Sequence, residues 1–209
     1  MSKFEKPIMA AAREQFSRYG YDGAKIDAIA AEARVNKRLV YEFCHSKDGL
    51  YMAVLSAVSR EAVQEFERHV GAMTGSVRNI YGELFSILEN LGDFLRLWAW
   101  ERMSPTIHGP RILETVNMIF ERVRGIVLEK AARGEIPEAS QIEFEAIEAL
   151  CHGYLLTAAM YFRCEPETDV SEAASPDGNG IVISSAFRRL NMSMHVQSII
   201  LDSISKLVG

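Results

Sequence analysis

Seven hydrogen-bond donors fall within 23 positions of one another: Lys25, Asn36, Lys37, Arg38, Tyr41, His45 and Lys47. Lys25, Lys37, Arg38 and Lys47 also carry positive charge, the chemistry that neutralises and grips phosphate oxygens. Asn36, Lys37 and Arg38 crowd the start of one short predicted helix. Its unpaired N–H groups and dipole add to the attraction for a phosphate. Tyr41 lies one turn beyond Lys37, so both face the same way. His45 and Lys47 bring two further donors to the next helix start. Outside such a cluster, Lys37 and Arg38 would read as ordinary solvated surface.

The elements that must position these groups are legible in the same stretch. Ile26, Ile29, Ala30 and Ala33 recur at helical spacing over Lys25 to Glu32. Asn36 is a suitable N-cap for a helix over Lys37 to Phe43, with Leu39, Val40 and Phe43 turned inward. Ser46 caps a third helix, with Asp48 favourably placed in its first turn. A short helix, a tight corner and a donor-rich second helix make a helix-turn-helix. Such a unit sets its second helix into a DNA major groove about 12 Å wide, N-terminal side chains against base edges.

Residues 8–55, from Ile8 to Leu55, resemble the N-terminal domain of the TetR family of transcriptional regulators. The resemblance rests on Ala11-Ala12, Phe16, Gly20-Tyr21, Ile29-Ala30, Val35-Asn36-Lys37, Val40-Tyr41 and the run Ser46-Lys47-Asp48-Gly49-Leu50. It implies that Tyr41 and Lys47 grip phosphate and that Asn36-Lys37 opens the recognition helix. It also implies an all-helical effector-binding domain behind, whose last two helices pair two subunits. Four positions depart from the family pattern. Ala24-Lys25 replaces a hydroxyl pair at the second helix start, and Arg34 replaces a corner glycine, at a cost of about 1 kcal/mol if left-handed. Cys44 replaces an aromatic. Glu42 places on the recognition helix a carboxylate that repels phosphate or accepts from a cytosine amino group.

The rest of the chain is expected to be helical throughout. Residues Lys6–Tyr19, Lys47–Val70, Val77–Arg102, Arg111–Arg133, Ser140–Phe162 and Ser193–Leu207 carry apolar stripes, with stops at Gly20, Gly71–Gly75 and Gly134. Residues 164–180 lack periodicity and read as a mobile loop, and Ile181-Val182-Ile183 is the sole, very short, strand candidate. The expected fold is all-α: a three-helix DNA-binding domain with helix-turn-helix over 1–46, then a helical ligand-binding and dimerisation domain over 47–209. Trp98, Trp100, Met103, Met118, Tyr154 and Tyr161 are the candidates for lining an apolar effector cavity, though each alone reads as core.

Composition limits the alternatives. The 209 residues carry a net charge of −5. Residues 1–50 hold nine Lys/Arg against seven Asp/Glu, and the remainder holds fourteen against twenty-one. A slightly basic head on an acidic body suits contact with phosphates at one end only. No apolar run approaches the ~20 residues of a membrane span, and the N-terminus lacks a signal-peptide core. A cytoplasmic protein is therefore expected. Cys44, Cys151 and Cys164 read as free thiols. Cys44-His45 and Cys151-His152 cannot each chelate a metal, because adjacent helical residues point ~100° apart. Glu148 and His152 should form a local pair. No glycine-rich phosphate loop or nucleophile elbow appears, so neither catalysis nor a cofactor is expected. The expected partners are a near-palindromic duplex operator, an unknown small-molecule effector and a second copy of the chain. The alternative is a helical small-molecule-binding or adaptor protein whose motif no longer reads DNA.

Overall fold

The computed structural model describes residues 4–136 and 141–163 (the side chains of 141–144 and 158–163 excepted) and residues 200, 202–204 and 206. Helix α1 (Glu5–Gly23) buries Ile8, Ala11, Ala12 and Phe16, one stripe at spacings of three and four. Gly20 was expected to end it. Instead the chain kinks there at φ 68°, ψ −175° and resumes one more turn. Only glycine takes that conformation readily. A Cβ on Gly20 would also lie 2.7 Å from the Trp100 ring.

Helix α2 (Ile26–Glu32) buries Ile26, Ile29 and Ala30. The corner after it turns through Arg34 at φ 55°. There Val35 N–H donates to the Ala30 carbonyl at 2.9 Å, closing the helix end. Helix α3 (Lys37–Cys44) starts where the Asn36 side chain accepts from Leu39 N–H at 2.8 Å. Helix α4 (Lys47–His69) starts on Ser46, whose Oγ accepts from Gly49 N–H at 2.9 Å. Each cap satisfies a donor that has no partner within its helix, worth about 1 kcal/mol. Gly49 is also a close approach, since a Cβ there would meet the Cys44 carbonyl oxygen at 2.3 Å.

After a 3-10 turn at Val70–Ala72, the sequence pattern leads one to expect a single helix over Val77–Arg102. Two are present, α5 (Val77–Glu89) and α6 (Gly92–Met103), broken at Asn90-Leu91. Leu88, Leu91 and Leu95 keep helical spacing across the break, which hides it. Gly92 weakens continuation, and Asp93 opens the new helix by pairing with Arg13 of α1 at 2.6 Å and Arg96 at 2.5 Å. Helix α7 (Pro110–Ala132) begins with proline at its first turn and ends at Gly134, φ 72°. Helix α8 (Gln141–Arg163) follows.

A continuous apolar core runs from Ile8 of α1 through α4–α8 to Ile204. Helix α4 is common to both halves, packing Tyr51 on Phe16 of α1 and reaching α7 further along. No strand occurs among the described residues. Of the expected last helix, residues 200, 202–204 and 206 are helical. Ile204 is buried, and Asp202 pairs with Arg78 of α5. The expected loop at 164–180 and strand candidate at 181–183 lie outside the described residues.

Candidate nucleic-acid interface

Helix α3 shows one face to solvent and hides the other. Val40 and Cys44 are buried against α2 and α4, while Asn36, Lys37, Arg38 and Tyr41 are exposed. The Cys44 thiol takes the place of a larger ring, donating to the Val40 carbonyl at 3.0 Å. Burial pushes that thiol's pKa up, so it stays protonated. Arg34 and His45 bracket the helix, both at positive φ (55° and 64°). The structure thus bears out a left-handed corner at Arg34, where an L side chain is strained. Sequence gave no signal for the second such residue, His45.

The cations are not idle. Lys37 Nζ lies 2.9 Å from Asp27 of α2, and that hydrogen bond raises its pKa. Arg38 donates to Glu42 at 2.8 Å, one turn along α3. Glu42 therefore has a role beyond the two considered from sequence: it holds the most exposed guanidinium of the cluster. Lys47 is half-buried, its Nζ 4.8 Å above the Tyr21 ring and 3.4 Å from the Asp22 carbonyl. Lys25, exposed, precedes α2 in extended backbone. Exposed pairs of this kind are weak because solvent screens them, so a phosphate can displace them.

Behind the interface, the ends of α1, α4 and α6 meet in a polar cluster that sequence reasoning missed. Tyr21 donates to Asp48 at 2.8 Å, and His108, from the loop before α7, lies 2.8 Å from the same oxygen. Those contacts, His108 foremost, lower the Asp48 pKa. Deeper in, the buried Glu101 carboxylate accepts from Tyr51 Oη at 2.5 Å, Thr106 N–H at 2.8 Å and Thr106 Oγ1 at 2.9 Å. Burial, then Glu101, pushes the Tyr51 phenol far up. These partners are up to 60 residues apart in sequence, and no local pattern links them.

The expected effector-lining residues scatter. Trp98 is buried, stacked on His152 at 6.0 Å, and Tyr154 is buried against Phe85 and donates to Glu89. Trp100 donates from Nε1–H to the Ser17 carbonyl at 3.1 Å and its ring covers Gly20, filling the α1–α6 contact. Met103 and Met118 are 41% and 47% exposed, on the outward faces of α6 and α7. Tyr161 lies in α8, its side chain outside those described. The expected Glu148–His152 pair is replaced. Glu148 faces Arg124 at 3.9 Å, and the His152 ring hydrogen-bonds the Glu148 backbone beside Phe120. Tyr81 Oη and Glu148 Oε1, both buried, have no hydrogen-bond partner among the described residues. Cys44 and Cys151 are free, and no group of three potential metal ligands occurs among the described residues. No described helix is long and apolar enough to cross a membrane.

Residues 8–54 match the sequence profile of the bacterial regulatory proteins, tetR family. The N-terminal domain belongs to the TetR family. The transcriptional repressor SCO4008 of Streptomyces coelicolor is 50% identical over 48 residues, 23% of this chain and 25% of that protein. The repressor NicS of Pseudomonas putida is 22% identical over 160 residues, 74% of this chain and 72% of that one. Over two of the curated relatives, including SCO4008, the match spans only 25% and 44% of their length. The structure of the regulator FadR from Bacillus subtilis, in complex with stearoyl-CoA, superposes with a TM-score of 0.61 at 16% identity, covering 94% of this chain and 97% of that one. That likeness shows a shared helical fold that includes the C-terminal part.

Proposed function

We propose that this chain is a ligand-responsive transcriptional regulator of the TetR family, a homodimeric repressor that leaves its operator when a small molecule binds the C-terminal part. The observation that carries the reading is α3: a capped helix start presenting Asn36, Lys37, Arg38 and Tyr41 on a face kept clear of the core. Lys25, His45 and Lys47 flank it as further phosphate donors. Residues 1–46 then form the DNA-binding unit and 47–209 the effector and dimer unit, working in the cytoplasm without catalysis. Pairing through α8 and the helix around Ile204 would hold two α3 helices ~34–36 Å apart, one turn of a near-palindromic duplex.

The effector would enter between α5, α7 and α8. There Tyr81 Oη and Glu148 Oε1 have no hydrogen-bond partner among the described residues, and His152, one turn beyond Glu148, packs on Trp98 and Phe120. Buried polar atoms without partners are costly, and a ligand carrying matching groups would relieve them. FadR, of like fold, is in complex with stearoyl-CoA, which supports a small-molecule ligand without identifying it or its place. Differential affinity of the ligand for two spacings of the dimer then sets DNA release.

A second reading has support in the Lys37–Asp27 and Arg38–Glu42 pairs, which offset the cationic face. On it the chain binds small molecules or a protein and no longer reads DNA. Gel-shift titration against the DNA upstream of its own coding region separates the two. Specific retardation at physiological salt supports the regulator. Binding no tighter than to random duplex overturns it.

A further inference from the structure

A groove of about 340 Å³ runs between α4 and α7, apart from the apolar interior of the bundle. Arg60 and Gln64 line it from α4 and Arg111 from α7, and no carboxylate is among its lining residues. Among the described residues Arg60 and Arg111 have no ion-pair partner, as is also true of Arg18, Arg34, Arg102 and Arg122, but Arg60 and Arg111 are the two that line one groove. Both guanidiniums are exposed, and an anion in the groove would be attracted by both.

Ser59 supplies a second, independent observation. It lines the same groove, is only 4% exposed, and its Oγ has no hydrogen-bond partner among the described residues. A hydroxyl in a helix ordinarily finds a carbonyl one turn back, as Thr115 does on the facing wall by donating to the Arg111 carbonyl at 2.8 Å. Thr115 has thus used its proton. Ser59 retains both its donor and its acceptor capacity.

We propose that this groove is an anion-binding site for the carboxylate or phosphate group of a small molecule. Arg60 and Arg111 provide charge-assisted hydrogen bonds from opposite walls, and Ser59 donates from between them. The occupant ties α4 to α7. Because α4 begins at Lys47, beside the recognition helix, occupancy stiffens the element on which the DNA-facing donors are mounted. Binding of the anion itself does not depend on the chain reading DNA.

Calorimetric titration of the full chain at low ionic strength tests this, with sodium phosphate and sodium malonate as probes and sodium chloride at matched ionic strength as control. Saturable binding of phosphate, malonate or both, without a response to chloride, is expected, and the better probe identifies the group recognised. Arg60→Ala and Arg111→Ala should each weaken binding about tenfold or more, with helical content and random-duplex binding unchanged. Ser59→Ala should weaken it too, while the melting temperature of the anion-free protein holds or rises, a combination that a merely structural serine would not give. Should a variant fail to fold, the wild-type protein still decides. The better probe must protect Arg60 and Arg111 from phenylglyoxal, read by peptide mass spectrometry. No saturable binding of either probe up to about 10 mM, well above a millimolar Kd, overturns the site. So do unaltered affinity in both arginine variants and absence of protection.

Discussion

Lys37 and Asp27 allow a quantitative test of the interface. In the free protein the ammonium is 2.9 Å from the Asp27 carboxylate, on a surface where both remain well exposed. A phosphate that engages Lys37 competes with this pair, which solvent screening keeps weak. Asp27→Asn should therefore tighten binding to DNA by no more than roughly fivefold per subunit. Lys37→Ala should do the opposite, and each lost phosphate contact flattens the log–log salt dependence by about 0.9. A dimer with both α3 helices engaged would lose about 1.8 in slope. The two changes should not add: with Lys37 absent, Asp27→Asn has no pair to release and should recover only the small benefit of one less negative charge. Fluorescence anisotropy over a salt series measures all four proteins on one duplex. A slope unchanged by Lys37→Ala, or a gain from Asp27→Asn that persists in full without Lys37, would refute the geometry assigned to this pair.

The remaining predictions concern the scaffold. Asn36→Ala removes the acceptor of Leu39 N–H and should cost about 1 kcal/mol in a urea melt. Arg34→Gly relieves a left-handed side-chain position at φ 55° and should stabilise by about 1 kcal/mol in the same measurement, less glycine's gain in unfolded-state entropy. Gly20→Ala meets both a backbone conformation at φ 68° and the Trp100 ring at 2.7 Å, and should lose at least about 2 kcal/mol. Burial, then the charge of Arg102, lowers the His152 pKa below its ordinary 6.5. The unfolded chain then takes up the proton first, so stability is complete above about 6.5 and declines as pH falls toward the folded value. His152→Phe should flatten that part of the stability–pH curve.

What was legible in the sequence was local. Asn36 and Ser46 announce themselves as caps because a cap reaches only three residues ahead, and both make that hydrogen bond. Helix α7 is framed by Pro110 and Gly134, which act on their own backbone. The exposure of Asn36, Lys37, Arg38 and Tyr41 follows from the register of one short motif. The break at Asn90-Leu91 was hidden because leucines on both sides keep a common stripe while the axis changes direction. Trp100 is ambiguous in sequence for a related reason. An aromatic at a helical position looks the same in sequence whether it lines a cavity or covers Gly20 eighty residues earlier. The polar cluster of Tyr21, Asp48, Tyr51, Glu101 and His108 was invisible, since single titratable residues carry no mark of a partner from another helix.

That cluster decides how the two halves of the chain can move. Glu101 is buried with three donors, one on α4 and two on Thr106 of the loop leading to α7. Hydrogen bonds to a charged group are worth about 1.5–3 kcal/mol each. Withdrawing the loop from α4 would leave a buried carboxylate short of partners, which costs more than breaking any exposed pair such as Lys37–Asp27. Gly109 leaves no slack, because even a Cβ there would fall 2.2 Å from the Glu101 carboxylate. The loop and α4 therefore shift together. At the outer edge the same loop holds Asp48 through His108, and Tyr21 holds Asp48 from α1. Lys47 and the end of α3 are adjacent to that carboxylate in sequence. A displacement of α6 or α7 thus reaches the exposed donors of α3 through a rigid connection, while Lys37 and Arg38 rest on pairs weak enough for a phosphate to replace. Stiff coupling behind and loose pairing in front is the arrangement in which a small tilt of α4 changes where α3 points without first unfolding either.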